Sequence, residues 1–338
     1  MLGKIDMNFF EKYIINRTGY DDKNAIVKPK MGVDVGIIKT GDKYIAVTTD
    51  PLYINPALGL KNAAWFALHI LLSDLYTSGI KANYMSIDFN LPESIKDDEF
   101  KIIWDEINNE SLKYNLNVIT GHTARYENCN YPMIGGVTLI GIGDDYITTE
   151  NAHAGDKIIM TKTCALEASV QLAYIYEDYI IKNLGENVLK NLKKMFYDMS
   201  CINEEILAIN YGIKNKITSM HDATEGGLLN AIYEIGYASN NGIFIDKNKI
   251  IIDENVKKLC DLFNINPLRS ISEGTLLITV KNDYADKFLK ILNDNNIKSS
   301  IIGEVRNKDY GIKIMENDKL TDIIPGKDDF WKAVSSMH

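Results

Sequence analysis

The sequence predicts an α+β protein built from two lobes, and three observations carry that prediction. The chain has 338 residues, which at roughly 100 to 200 residues per domain suggests two units. Strand-like and helix-like stretches are mixed in both halves. A polar, turn-rich stretch from Asp144 to Asp156 separates them, so the boundary is placed near residue 150, giving lobes 1–150 and 151–338. With 46% hydrophobic and 25% charged residues, a disordered or fibrous chain is excluded. Two lobes imply a cleft.

In the first half, Tyr44–Thr49 (YIAVTT) reads as a strand stopped by the turn pair Asp50-Pro51. From Leu60 to Ser78, residues Ala64, Trp65, Leu68, Leu71, Leu72 and Leu75 form a broad helical face, with Gly79 placed to cap the end. Strands are expected at Tyr84–Leu91, Leu116–Thr120 and Met133–Ile142, and a helix over Asp97–Tyr114. The second half opens with the strand Lys157–Thr161. Helical patterns follow over Leu166–Leu184 and Val188–Asn210, then a strand ending at Met220 and a helix over Glu225–Asn240. Ile243–Ile245, Leu276–Val280 and Ser299–Val305 read as strands, with a helix over Tyr284–Asn295.

Lys and Arg number 37 against 46 Asp and Glu, a formal charge of −9. No basic cluster stands out, so nucleic acid is not expected as a partner, because phosphate-backbone binding rests on a basic surface. An acidic protein that handles a nucleotide recruits a divalent cation to bridge carboxylate and phosphate; acidity also serves solubility alone. Met1–Tyr13 lacks the apolar run of a leader, and the longest apolar stretch, Ala63–Leu72, is too short to span a membrane. The expectation is a cytoplasmic protein without membrane association. Cys129, Cys164, Cys201 and Cys260 are scattered, which supports neither a zinc site nor a disulfide framework. Their default place is the core.

Several residues could carry chemistry. Asp34 lies in Gly32-Val33-Asp34-Val35-Gly36, where the glycines permit close ligand approach. Asp50 follows a strand and is placed to look into a cleft, though a turn acid before Pro51 fits as well. Asp74, with Ser73 beside it, sits late in an apolar helix where the dipole offers a carboxylate nothing. It is a candidate metal ligand or a salt-bridged surface acid, and three such acids suit magnesium better than zinc. In His221-Asp222-Ala223-Thr224-Glu225-Gly226-Gly227, Thr224 can cap a helix whose first-turn glycines cost helix propensity. Bare amides there form a phosphate seat; tight packing through glycine is the alternative. His122, in Gly121-His122-Thr123 after a strand end, can meet phosphate or act as acid or base. Lys162, between strand and helix, can reach phosphate, and Ser272-Glu273-Gly274-Thr275 is a loop before a strand. His69 is assigned to the core or an interface, and His153 and His338 receive no role. The common phosphate-loop and dinucleotide fingerprints are absent.

Taken in order, Gly32-Val33-Asp34-Val35-Gly36, Thr48-Thr49-Asp50-Pro51, Leu72-Ser73-Asp74-Leu75, Gly121-His122-Thr123, His221–Leu228 and Ser272-Glu273-Gly274-Thr275-Leu276 resemble the aminoimidazole ribonucleotide (AIR) synthase superfamily. Its members include AIR synthase, thiamine-monophosphate kinase, selenophosphate synthetase and HypE, and the resemblance runs from about residue 30 to residue 305. It implies a two-lobe PurM-like fold, a homodimer paired through first-lobe strands, and ATP with magnesium where the lobes meet. It places Asp34, Asp50 and Asp74 on the metal that holds the phosphates, and Asp222, Thr224, Gly226 and Gly227 on the family's D-x-T-x-G-G stretch. With Lys162, read from its own loop, the expected nucleotide and phosphate contacts are Asp50, Ser73, Lys162, Thr224, Gly226 and Gly227. His122 and Asp222 fall at catalytic positions.

The chain also departs from the pattern. It has one aspartate in the first glycine loop, where several branches have two. Its tail reads Ser335-Ser336-Met337-His338, without HypE's terminal cysteine, and its first cysteine is Cys129, unlike selenophosphate synthetase. The expected function is ATP- and magnesium-dependent activation of an amide or carboxamide oxygen, on a small-molecule or protein-borne acceptor. A thiamine-monophosphate-kinase-like phosphotransferase and a non-catalytic ATP-binding partner protein are the alternatives.

Overall fold

The computed structural model describes residues 5, 7–15 and 17–336, so Met337 and His338 of the tail lie outside the described residues. A short helix, α1 (Met7–Phe10), leads into a six-stranded sheet. Its strands are β1 (Ala25–Val27), β2 (Gly36–Thr40), β3 (Lys43–Tyr53), β4 (Ala82–Pro92), β5 (Asn117–Tyr126) and β6 (Met133–Gly143), in the order β1-β2-β3-β6-β4-β5. Among the described strands of this sheet, β4 and β5 are the parallel pair, which follows from the crossover helix α3 (Asp97–Lys113) between them. With α2 (Leu60–Tyr76) it covers one face of the sheet, where Met85, Ile87, Phe89 and Leu91 of β4 are buried. The other face is open: Tyr84 is 36%, Ile142 45% and Ile119 53% exposed.

The second lobe is a seven-stranded sheet wrapped by helices. Along the chain come β7 (Lys157–Thr161), α4 (Leu166–Ile175), α5 (Glu177–Leu184), α6 (Glu186–Lys194), α7 (Ile202–Gly212) and β8 (Ile217–Asp222). Then follow α8 (Gly227–Ser239), β9 (Gly242–Asp246), α9 (Glu254–Phe263), β10 (Leu276–Val280), α10 (Asn282–Asp294) and β11 (Ser299–Arg306). β12 (Ile312–Glu316), β13 (Lys319–Asp322) and α11 (Asp329–Ser336) close the chain. The strand order is β13-β12-β9-β11-β7-β10-β8. Among the described residues, no helix is long and apolar enough to cross a membrane. Cys164, Cys201 and Cys260 are buried, and Cys129 is half-buried.

The lobes share a core. Helix α2 is apolar nearly all round because it packs on β3 on one side and on α7 on the other. Trp65 of α2 meets Phe196 of the second lobe at 5.3 Å between ring centroids. His69 of α2 stacks on Trp65 and hydrogen-bonds Ser200 at 2.8 Å and Glu110 at 3.0 Å, as a core histidine should. Burial pushes its pKa down against the pull of Glu110. A polar chain also crosses the junction: Asn55 donates to Gln171 at 3.0 Å, and Gln171 donates to Glu167 at 2.9 Å.

Several expected boundaries move, each for a physical reason. Strand β3 does not stop at Asp50-Pro51 but continues to Tyr53, with Asp50 paired to Val137 and Pro51 to Gly136. Beyond Val47 the β2 side of β3 is unpaired, so a residue without an N–H is tolerated there. Strand β5 runs on through Gly121-His122-Thr123 to Tyr126; its nearly exposed pattern hid it. The expected helix over Val188–Asn210 is two helices, α6 and α7, separated by a short 3₁₀ turn at Phe196–Asp198. The cause is Lys162, whose ammonium takes the carbonyl oxygens of Asp198 at 2.9 Å, Ser200 at 2.6 Å and Gly274 at 3.1 Å. The break is sealed from the other side by Ser73, whose hydroxyl accepts the Cys201 N–H at 3.1 Å. The expected Leu166–Leu184 helix is likewise interrupted at Tyr176.

Two stability predictions follow from this junction. Lys162 also ion-pairs with the buried Glu204 at 2.6 Å, so Lys162→Met strands a buried carboxylate and should cost about 3 to 5 kcal/mol in urea denaturation. The Lys162→Met/Glu204→Leu double variant should recover part of that loss. Burial raises the Glu167 pKa from 4.5 to about 8, so the folded chain keeps a proton that the unfolded chain releases. Stability should therefore fall as pH rises between those values, by up to about 1.4 kcal/mol per pH unit. Glu167→Gln should flatten that slope in denaturation curves between about pH 5 and 8.

Candidate active site at the lobe junction

The first lobe supplies three acids from three different elements. Asp34 lies in the loop between β1 and β2, Asp50 is in β3, and Asp74 is in the last turn of α2. Thr48 links two of them: its hydroxyl lies 3.0 Å from the Asp34 carbonyl oxygen and 3.4 Å from an Asp74 carboxylate oxygen. Strand alternation puts Asp50 on the same face of β3 as Thr48, the face covered by α2. Thr77 ties the Asp74 carbonyl at 2.7 Å, fixing the helix end.

The second lobe adds the end of β8. Ligand atoms of Asp34, His221 and Asp222 all lie within 4.8 Å of one another. His221 is buried between two carboxylates, Asp34 at 2.9 Å from Nδ1 and Glu234 at 2.8 Å from Nε2. Burial alone would depress its pKa, but these carboxylates outweigh it and hold the pKa well above the ordinary value. With an acceptor at each nitrogen, the ring donates twice, as an imidazolium does.

Two further acids close the floor, Glu205 from α7 and Glu273 from the loop before β10, both almost fully buried. Burial first, then the charge of Asp222, pushes the pKa of each well above the ordinary carboxylate range. Asp74 acts on both in the same direction, which sets all four acids around one region. The carboxylate oxygens of Asp34, Asp74 and Asp222 with the Thr48 hydroxyl make a set suited to a hard divalent cation, so the residues present fit magnesium.

The remaining expected site residues fall elsewhere. Ser73 is fully buried; its hydroxyl donates to the His69 carbonyl at 2.9 Å and accepts from Cys201, so it braces the lobes rather than facing phosphate. Lys162 spends its ammonium on three carbonyls and Glu204. His122 pairs with Asp88 on the open face of the first sheet and hydrogen-bonds the Tyr126 hydroxyl at 2.8 Å. It sits on the opposite face from Thr48, and β5 lies three strands from β3, about 14 Å at standard strand spacing. Within one chain it does not join the acids.

Gly226 and Gly227 have φ of +84° and +65°, and a Cβ at Gly227 would stand 2.7 Å from the Ser270 carbonyl oxygen. Both glycines are thus required by conformation and packing. The Gly226 amide donates to the Asp328 carboxylate at 2.6 Å, and the Gly227 amide to the Thr224 carbonyl at 3.0 Å. The expected phosphate seat is filled by the chain's own C-terminal segment. Trp331 reinforces this docking by donating to Glu225 at 2.8 Å.

Glu205 and Glu234 were not singled out from sequence, and Glu273 and Thr48 lay in named segments without a role of their own. A signal existed for one of them: Glu204-Glu205 falls between Ile202 and Ile206 in an apolar pattern, where acids are rarely buried without a partner or a task.

Comparisons with known proteins agree with this architecture. Residues 32–142 match the N-terminal domain of AIR synthase related proteins and residues 153–315 the C-terminal domain. The chain is 26% identical over 318 residues to a putative hydrogenase expression/formation protein of Methanocaldococcus jannaschii, covering 92% of this chain and 91% of that protein. Its fold superposes on HypE in a HypE–HypF complex with a TM-score of 0.73 at 18% identity, covering 94% of this chain and 99% of the other. A structure of HypE in complex with ATP gives a TM-score of 0.63 at 16% identity, with coverages of 96% and 93%. With both of its domains matched in order over most of its length, the chain belongs to the AIR synthase related protein family.

Proposed function

We propose that this chain is an ATP- and magnesium-dependent enzyme that activates an amide or carboxamide oxygen by phosphoryl transfer. The observation that carries the reading is the convergence of Asp34, Asp74 and Asp222 from both lobes on one buried floor, with Thr48 bridging the first two. Similarity to HypE supports the nucleotide, since one HypE structure holds ATP, and the name of a relative 23% identical, carbamoyl dehydratase HypE, supports a carboxamide-type acceptor.

Asp34, Asp50 and Asp74 would hold magnesium on the phosphates, where the ion supplies charge neutralisation. The acceptor oxygen attacks the γ-phosphorus, the bond to the β–γ bridging oxygen breaks, and ADP leaves with that oxygen. Asp222 stands beside the metal-binding acids and takes up the proton released as the acceptor reacts. Glu205 and Glu273, held towards their protonated forms, keep the floor from repelling the incoming phosphates. Phosphate reaching the Gly226 amide must first displace Asp328.

The open face of the first sheet is the proposed dimer surface. Ile38, Tyr84, Ile119 and Ile142 are exposed there, an apolar set that a second copy would cover. On this reading His122 belongs to the subunit interface and not to its own chain's phosphates.

Three outcomes test these statements. ATP with magnesium, at about 100 times its Kd, should stabilise the protein by roughly 2.7 kcal/mol in a thermal-shift titration, and magnesium removal should abolish the effect. Asp74→Asn should lose both that shift and any ATP consumption; an unchanged shift would remove Asp74 from the site. Ile142→Glu should convert a dimer to a monomer in sedimentation equilibrium, and a monomeric parent protein would refute the interface.

A further inference from the structure

We propose that His221, backed by Glu234, is a positioning residue that fixes the metal-binding carboxylate of Asp34 from the opposite lobe. The inference deepens the proposed function and rests on its assignment of Asp34 to a divalent cation.

Asp34 needs such a device because it is not on a regular element. It follows a tight turn in which Lys30 and Val33 form an isolated bridge, and Gly32 has φ +74°. That turn lies directly on α8: a Cβ at Gly32 would stand 2.7 Å from the Glu234 Cβ. Lys30 adds a second anchor by donating to the Ala238 carbonyl at 2.8 Å. The backbone is therefore seated on the second lobe, but a carboxylate on such a loop still has two side-chain torsions to settle.

His221 settles them. Its Nδ1–H donates to Asp34 Oδ2 at 2.9 Å, leaving the other carboxylate oxygen for a ligand. The ring cannot turn away, because Nε2–H is held by Glu234 at 2.8 Å and the side chain is 2% exposed. The order Glu234–His221–Asp34 thus runs from α8 through β8 into the first lobe. Outer-shell histidine–carboxylate partners of this kind orient metal ligands. Neither ring nitrogen is free for substrate, so His221 acts through Asp34 and is not a catalytic residue.

The test uses Mn²⁺ as the probe, titrated into the full-length protein and followed by electron paramagnetic resonance. His221→Ala should weaken Mn²⁺ binding about 10- to 100-fold, the usual effect of losing an outer-shell partner. His221→Asn, whose amide N–H falls near the Nδ1 position, should restore binding to within about threefold of the parent. Glu234→Ala should weaken binding in the same direction, which covers the case of a poorly folded His221→Ala. Unchanged binding in His221→Ala or Glu234→Ala overturns the proposal, as does failure of His221→Asn to restore what His221→Ala loses. Nitrogen hyperfine coupling from His221 on Mn²⁺ bound to the parent protein would also overturn it, since the ring would then be a ligand itself. Asp34→Asn is the control: if it binds Mn²⁺ like the parent, the metal reading of Asp34 fails instead.

Discussion

The constraint on which the junction depends is the burial of more carboxyl groups than cations. Glu167, Glu204, Glu205, Asp222 and Glu273 are all buried there; the Lys162 ammonium pairs with Glu204, and the His221 ring stands near Asp222 while pairing with Asp34 and Glu234. Carboxylates withdrawn from water carry a large desolvation cost unless paired, protonated or bound to a metal. The chain uses the first two in different places: Glu204 is paired, while Glu167 and Glu273 are shifted towards the neutral form. What is left around Asp34, Asp74 and Asp222 is a region that gains from an incoming cation, and a polyphosphate arriving with its metal brings one.

The shared core makes this arrangement rigid. Helix α2 belongs to neither lobe alone, and it carries His69, Ser73 and Asp74 on a body of apolar residues. His69 and Ser73 are consumed by contacts to the second lobe, which aligns the helix so that its last turn delivers Asp74 to the floor. One helix therefore performs the packing and the presentation together, and neither lobe can shift along it without breaking buried hydrogen bonds.

The parts of this site that could be read from the sequence are those where a residue contradicts its local pattern. Asp74 in an apolar helix, Asp34 among glycines and paired glycines at a helix start all depart from what their element prefers, and each sits at an electrostatically or sterically demanding place. The unreadable parts are those set by partners distant in sequence. Ser73 and Lys162 look suited to phosphate until Cys201 and Glu204 are brought beside them, and the broken α6–α7 segment has helical periodicity throughout. The amides of Gly226 and Gly227 look open until residue 328, about a hundred positions on, arrives to fill one. His122 follows the same rule, because which face of an exposed strand it takes depends on register with β4, and that is fixed by the whole sheet.

Lys162 has a backbone φ of +56°, a region where side chains other than glycine's and asparagine's are uncommon. The backbone at this point would be served better by glycine, so the position is held by lysine for the sake of its ammonium. Three carbonyl oxygens and one carboxylate surround that ammonium from different directions, an arrangement that a compact point charge satisfies and a planar fork does not. An arginine there would preserve the charge and lose the fit, so of the two basic residues only lysine suits this buried junction.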